Sequence, residues 1–383
     1  MTRTAVVIGA GIGGLTAAIG LHRTGWQVTV LERAAAFAPV GAGLVLQANG
    51  LRCLDALGLG ADVRKQGHAD VSGGTRRCDG RWLARIEAGV LERMLGTPAI
   101  GIHRAALHEI LLGALPDGVV VTGAEVRAVT TDGDVTYQNK DMAVQVNADL
   151  VVGADGIHSA VRKLLWPEAA APAHIGVTAW RGVTPVWDGD LAVAISWGRG
   201  AEFGMVPLID GRVYWFAAVN APAGGPAGDD MARVRARFGN WHDPIPALIT
   251  ATSTVLRDDL ACLDKPLTTY VKGRVALLGD AAHAMTPNLG QGANQALEDA
   301  IVLACLAGRP DGLTAYDQQR RPRSQQVAKA SRMIGRFGQQ LENPIAVAAR
   351  NTIMRLTPPR LALRSMSRHA DWRPPPGCEP LSQ

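Results

Sequence analysis

Val6-Val7-Ile8 runs directly into Gly9-Ala10-Gly11-Ile12-Gly13-Gly14: an apolar strand, a glycine turn and the start of a helix in nine residues. Nothing else in the chain constrains its fold as strongly. Gly9 permits the tight turn, Gly11 lets a ligand approach the backbone, and Gly14 lets helix and strand pack closely. Ile12 and Gly13 stand where a helix N-terminus offers free N–H groups and partial positive charge to an anion. The pattern predicts strand Ala5–Ile8, helix Gly13–Thr24 and strand Gln27–Leu31, with Gly25 at the helix C-cap. Glu32 ends the second strand, 23 residues after Gly9, where a carboxylate accepts both ribose hydroxyl protons. A glycine turn by itself serves packing as well as binding. With strand, helix and acid in register it reads as a dinucleotide site.

A second fingerprint begins 270 residues after Gly9. The apolar run Val275-Ala276-Leu277-Leu278 leads into Gly279-Asp280-Ala281-Ala282-His283. It continues as Pro287-Asn288-Leu289-Gly290-Gln291-Gly292-Ala293-Asn294-Gln295-Ala296-Leu297-Glu298-Asp299-Ala300. Between the two lies Gly153-Ala154-Asp155-Gly156-Ile157-His158-Ser159-Ala160-Val161-Arg162. Taken together and in order, these motifs resemble the FAD-dependent aromatic hydroxylases, the single-component flavoprotein monooxygenases of the para-hydroxybenzoate hydroxylase type. The likeness covers nearly the whole chain.

The resemblance implies FAD as the bound cofactor and NAD(P)H as its reductant. It implies that Asp280 holds ribityl or ribose hydroxyls and that the following helix aims its N-terminus at the flavin pyrimidine edge. Reduced flavin carries negative charge there. Backbone N–H groups near Gly290, Gln291, Gly292, Ala293 and Asn294 suit it, Pro287 joins the same cofactor-binding set, and no acid stands between His283 and Gln295. By the same resemblance Arg33 lies beside the adenosine, Val126 makes a backbone contact to adenine, and Arg104 sits near the pyrophosphate. Asp155 is linked to both FAD and nicotinamide binding; a helix N-cap with a buried Arg162 ion pair is its structural alternative. Gly43, in the loop Gly41-Ala42-Gly43, joins the cofactor-binding set, and Gly41 and Gly43 permit mobility there.

For substrate, three residues are candidates. Tyr214 occupies the place of a pocket tyrosine in the FAD-dependent urate hydroxylases, where a phenol orients or deprotonates a substrate. Those enzymes carry an arginine five residues before a Met-Pro-type turn; here Glu202 stands before Pro207, which argues against urate itself. Arg181 faces the pocket or forms a sheet-surface ion pair. Gln47 faces the isoalloxazine or the substrate. His158 and His283 fall inside flavin motifs and read as structural. The five scattered tryptophans between Trp180 and Trp241 either stack on an aromatic substrate or fill a sheet core.

Composition narrows the class. With 47% hydrophobic and 19% charged residues the chain is globular, and at 383 residues it is long enough for two cores. Five scattered cysteines without C-x-x-C spacing predict neither disulfides nor zinc, and fit a reducing cytoplasm. Arg3 and the uncharged stretch Ala5–Leu21 mimic a signal peptide, but five glycines there belong to the turn. No stretch predicts a transmembrane helix. Between Arg320 and Arg373, twelve Lys/Arg face only Glu342 and Asp371. That segment reads as a solvated helical face that also balances cofactor phosphates; with no nucleic-acid motif beside it, an anionic partner is the weaker reading.

The expected architecture is α/β: a Rossmann-like FAD-binding domain of glutathione-reductase type (1–70, 98–170, 271–340) with an inserted β-rich substrate domain (71–97, 171–270). C-terminal helices and a loose tail follow (341–383). The expected activity is NAD(P)H- and O2-dependent hydroxylation of an aromatic or heteroaromatic small molecule, with oxygen adding at flavin C4a. Other flavin chemistry on the same fold (epoxidation, double-bond reduction, antibiotic-inactivating oxidation) and a non-catalytic redox switch are the alternatives.

Overall fold

The computed structural model describes residues 2–37, 42–69, 73–87, 89–189, 191–225, 228–358, 361, 363–364 and 367–378. Gly41 and Pro359 lie outside the described residues.

The near-continuous apolar runs of the fingerprint strands suit a sheet covered on both faces. They build six strands in the order Val271–Lys272, Val275–Leu277, Leu150–Gly153, Thr4–Ile8, Gln27–Glu32, Val120–Thr122. Pairing is parallel throughout except at the edge hairpin ending in Val275–Leu277, and Ala5 stands opposite both Leu150 and Val28. The glycine-turn helix spans Ile12–Arg23, one residue earlier at each end than the sequence predicts. Thr24 is its C-cap, and Gly25 follows at φ +85°. Helix Gly292–Leu306, buried along most of its length, packs against it. A three-stranded antiparallel meander (Ala124–Val129, Asp134–Asn139, Met142–Asn147) connects Val120–Thr122 to Leu150–Gly153.

A second sheet of seven strands has the order Leu256–Cys262, Ala173–Val186, Arg212–Asn220, Ala201–Pro207, Val193–Trp197, Gly73–Arg77, Trp82–Ile86. Alternation along these strands separates two faces. One packs on helices Asp230–Phe238 and Ile245–Ala251 through Trp180, Phe203, Trp215, Phe238, Ile245 and Leu248. Trp215 is fully buried and donates Nε1–H to Thr252 Oγ1 at 2.8 Å; Trp180 donates to Asp230 Oδ1 at 3.0 Å. Trp187 and Trp241 pack against the same core, so these four tryptophans fill a core. The opposite face carries Val183, Val193, Val206, Tyr214 and Phe216, and meets Ala42 and Val45. Val45 belongs to a small sheet of Gly43–Leu46, Ile100–His103 and Gly67–His68.

Helix Gly312–Phe337, 26 residues and so about 39 Å long, runs from the parallel sheet to the second sheet. At its start Tyr316 donates to Leu277 O (2.8 Å); just beyond its end, Gly338 lies against the Trp197 indole.

Two expectations are overturned at the C-terminus. Cys305 and Cys378 are joined by a disulfide across 73 residues of sequence, which removes the cysteine argument for a reducing compartment. The tail is not uniformly loose either: Cys378, within the last ten residues, is 1% exposed, and just before them Trp372 packs against the Arg320 and Arg323 guanidiniums. Spacing alone carried no sign of the pairing; the fold brings the end of helix Gly292–Leu306 to the tail. Among the described residues, no helix is long and apolar enough to cross a membrane.

Candidate active site

The three glycine motifs converge although 270 residues separate the outer two. A Cβ on Gly9 would lie 2.5 Å from Ala154 O, and one on Gly14 would lie 1.9 Å from Gly9 O, so neither position admits a side chain. A Cβ on Gly13 would meet Leu278 at 2.8 Å and Ala296 at 3.1 Å. Gly11 and Gly292, by contrast, face open space. The helices beginning at Ile12 and Gly292 have no side-chain cap and no acid in their first turns. Two long helices therefore present unclaimed N–H groups and positive dipole ends. This donor set fits a diphosphate at the first terminus and an anionic flavin edge at the second.

Around this cradle, Glu32 Oε2 accepts from Ala10 N at 2.9 Å and Oε1 from Ala34 N at 2.9 Å, which holds the carboxylate beside the turn. Arg33 is exposed. Val126 is half-buried and pairs with Tyr137 in the meander. Arg104, exposed, opens helix Arg104–Gly113, and its backbone N–H donates to Ala42 O at 2.9 Å. The same helix is tied to the glycine turn by His108, whose Nε2 lies 2.8 Å from Ala10 O. Asp155 Oδ2 accepts from Ala160 N (2.6 Å) and Val161 N (3.1 Å), capping the helix that follows. Its Oδ1 is buried without a partner. The alternative ion pair to Arg162 is not formed: the guanidinium donates to Ala281 O at 2.7 Å and to Ile157 O. Asp280 is exposed at the start of the short helix Asp280–His283.

Behind the second helix lies a buried polar cluster that sequence reasoning missed. Gln47 donates from Nε2 to Leu289 O (2.9 Å) and from its backbone N to Asn294 Oδ1 (3.0 Å), and accepts from Gln291 Nε2 (2.7 Å). Asn49 Nδ2 donates to Gln291 Oε1 (2.9 Å) and Glu298 Oε1 (2.7 Å). Arg320, 1% exposed, bonds Glu298 at 2.5 Å and Asp299 at 2.7 Å, and Arg323 adds two bonds to Glu298, at 2.6 and 2.7 Å. Asp299 also accepts from Gly279 N (2.9 Å) and contacts His283 Nε2 at 2.5 Å, giving His283 a structural place. Burial opposes ionisation of Asp299, but His283 and Arg320 beside it prevail and hold its carboxyl at about 2. The one available signal was an acidic pair in an otherwise apolar helix, which demands partners. Pro287 and Gly290 are exposed, and Gly292 and Ala293 half-buried, at the rim of this cluster.

On the facing sheet, Tyr214 is 8% exposed, and burial pushes its phenol up to about 12 despite Arg181 nearby. It is a neutral donor at ordinary pH, suited to orienting a ligand rather than to taking a proton. Arg181 stands opposite Phe216 on the same face and pairs with Asp258. Gly43 packs on the Tyr214 ring, so the candidate substrate tyrosine and a candidate cofactor-loop glycine are in direct contact. No group of three or more His, Cys, Asp or Glu able to hold a metal occurs among the described residues.

A parallel α/β sheet with two uncapped helix ends, beside a second, antiparallel-rich sheet, defines the class of FAD-dependent oxidoreductases. The sequence profile of the FAD binding domain family matches residues 2–331, and the chain belongs to this family of FAD-dependent aromatic hydroxylases. It is 39% identical over 363 residues to aurachin C monooxygenase/isomerase of Stigmatella aurantiaca, covering 92% of this chain and 94% of that one. It is 34% identical to 2-heptyl-3-hydroxy-4(1H)-quinolone synthase of Pseudomonas aeruginosa, covering 93% and 94%. Among solved structures, Klebsiella pneumoniae HpxO complexed with FAD and uric acid superposes with a TM-score of 0.87 at 28% identity, covering 96% of each chain.

Proposed function

We propose that this chain is an NAD(P)H-dependent monooxygenase that places one atom of O2 on an aromatic or heteroaromatic small molecule. The balance is NAD(P)H, a proton, O2 and an aromatic C–H giving NAD(P)+, water and an aromatic C–OH. The observation that carries this reading is the pair of uncapped helix ends opposite an apolar, phenol-bearing sheet face. Relatives named for a quinolone and crystallised with uric acid support the heteroaromatic class.

FAD, when bound, supplies the redox chemistry. The chain supplies the rest. Gly9, Gly11, Ile12, Gly13 and Gly14 receive the diphosphate, Glu32 the ribose, and Arg33, Gly43, Arg104 and Val126 the remaining adenosine and pyrophosphate contacts. Asp155 and Asp280 receive hydroxyls. Gln291, Gly292, Ala293 and Asn294 bring N–H groups to the flavin edge, and Pro287 and Gly290 form the turn that leads into them; Gln47 and the Glu298–Arg320 cluster hold the segment there. Tyr214 donates to the substrate, Arg181 sets the field around that phenol, and the valines and Phe216 exclude water. We place the protein in the cytoplasm, where NAD(P)H is available.

The test is aerobic NAD(P)H consumption by the purified yellow protein against phenols, aromatic acids and fused heteroaromatics, with product masses. A compound that accelerates consumption and gains one oxygen atom establishes the reading. Hydride transfer to a substrate without oxygen gain replaces it by the reductase alternative.

A further inference from the structure

Glu202 is a buried carboxyl to which the flavin chemistry assigns no task. It lies on strand Ala201–Pro207, where Ala201, Phe203 and Met205 enter the core under helices Asp230–Phe238 and Ile245–Ala251. Alternation turns Glu202, Gly204 and Val206 to the other face, and the register sets them opposite Ala218, Phe216 and Tyr214. Glu202 therefore shares a sheet face with Tyr214, Phe216 and Arg181, two rows away from Tyr214.

At 5% exposure the side chain accepts one hydrogen bond among the described residues, from Trp197 Nε1 to Oε2 at 3.1 Å. Among the described residues no cation offsets its burial, which lifts the carboxyl to about 7 against the pull of that indole. A buried carboxyl with an acceptor atom to spare is costly unless a further donor arrives. The other buried acids among the described residues have several partners: Glu298 and Asp299 are each held by arginine.

The surface between Glu202 and Tyr214 suits a flat ring. Phe216 lies over Gly204, whose added Cβ would stand 2.1 Å from the Phe216 ring, so the middle row is an aromatic floor. The two flanking rows are about 13 Å apart along the strand, room for a fused bicycle with a polar group at each end.

Resting on the monooxygenase reading above, we propose that Glu202 determines substrate specificity. Its carboxyl accepts a hydrogen bond from the ring N–H or amino group of an uncharged heteroaromatic substrate whose far end meets the Tyr214 phenol. In its ionised form the same carboxyl repels ligands that bring a carboxylate to that end, since two like charges then share a buried place. A site built to bond an N–H discriminates strongly against an analogue lacking it, because the buried acceptor is then left unpaired.

The experiment uses the FAD-loaded enzyme and matched pairs: 4(1H)-quinolone and its N-methyl derivative, indole and N-methylindole, with quinoline-4-carboxylate as the anionic probe. Dissociation constants come from ligand-induced changes in the flavin absorption spectrum. The wild type is expected to bind the N–H member at least tenfold more tightly than its N-methyl partner, and the carboxylate more weakly than either. In Glu202→Leu the N–H preference falls to about twofold or less, whereas Glu202→Gln, whose amide oxygen still accepts, keeps part of it. Retention of FAD and a cooperative melt identify the variants that remain folded. Equal binding of both members by the wild type, or an undiminished preference in a folded Glu202→Leu, overturns the assignment while leaving hydroxylation intact. Absence of any aromatic ligand or oxygenated product from the wild type overturns the monooxygenase reading and this assignment with it.

Discussion

Gly43 lies against the ring of Tyr214, so closely that a Cβ on the glycine would stand 2.7 Å from Tyr214 Cγ. The contact joins the small sheet of Gly43–Leu46 to the sheet that carries the candidate substrate residues. Gly43→Val therefore displaces either the phenol or the strand. The expected cost is about 1–3 kcal/mol of overpacking, read as a lower urea midpoint, together with weaker substrate-stimulated NAD(P)H oxidation.

The Tyr214 phenol has no hydrogen-bond partner among the described residues and stays protonated well beyond neutral pH. Tyr214→Phe removes one donor and little volume. Turnover is expected to fall about tenfold, the worth of a single orienting hydrogen bond, with FAD content and melting temperature nearly unchanged. A pH–rate profile without a limb near neutrality that depends on Tyr214 accords with an orienting rather than a proton-accepting phenol.

Gly14→Ala tests the glycine turn. Its Cβ would lie 1.9 Å from Gly9 O, and helix and turn cannot both keep their places. The protein is expected to purify with little or no bound flavin, measured as visible flavin absorbance relative to protein absorbance.

Arg320 is the keystone of the buried cluster. Removing it in Arg320→Ala leaves Glu298 and Asp299 with fewer partners in a dry interior, at a cost of about 3–5 kcal/mol. Loss is expected in both equilibrium stability and FAD affinity, because the cluster holds the segment from Leu289 to Asn294 through Gln47 and Asn49. Full stability in the variant would show that the cluster is energetically idle.

Acid acts on the same cluster with a definite sign. The Asp299 carboxyl titrates at about 2 in the fold, against about 3.9 in an unfolded chain. A depressed folded value stabilises above the unfolded one, so the contribution is present at neutral pH and is lost as pH falls from about 4 through about 2. Its size is about 2–3 kcal/mol. Urea midpoints should drop across that window, and Asp299→Asn, less stable at pH 7, should show a shallower drop.

Much of the molecule was legible before any coordinates. Apolar strands ending in glycine turns announced the parallel sheet, because a strand buried on both faces leaves an uninterrupted hydrophobic run. The backbone demands at Gly9 and Gly14 could be read directly, since no side chain fits where a helix crosses a strand so closely. Local chemistry of this kind is written residue by residue.

What the sequence could not carry was which distant groups meet. Cys305 and Cys378 show no spacing signal, yet the fold links them. Arg162 was placed beside Asp155 by proximity in sequence, but bonds carbonyls at Ala281 and Ile157 instead. Arg320 sits in a strongly basic stretch that reads as solvated surface, and is nonetheless 1% exposed between Glu298 and Asp299. Of Glu202 the sequence told only that an expected cation is missing; its burial and its shared face with Tyr214 come from strand register. Periodicity specifies which face of an element is apolar. Only tertiary packing decides which charges are taken out of water together, because that depends on contacts between elements far apart along the chain.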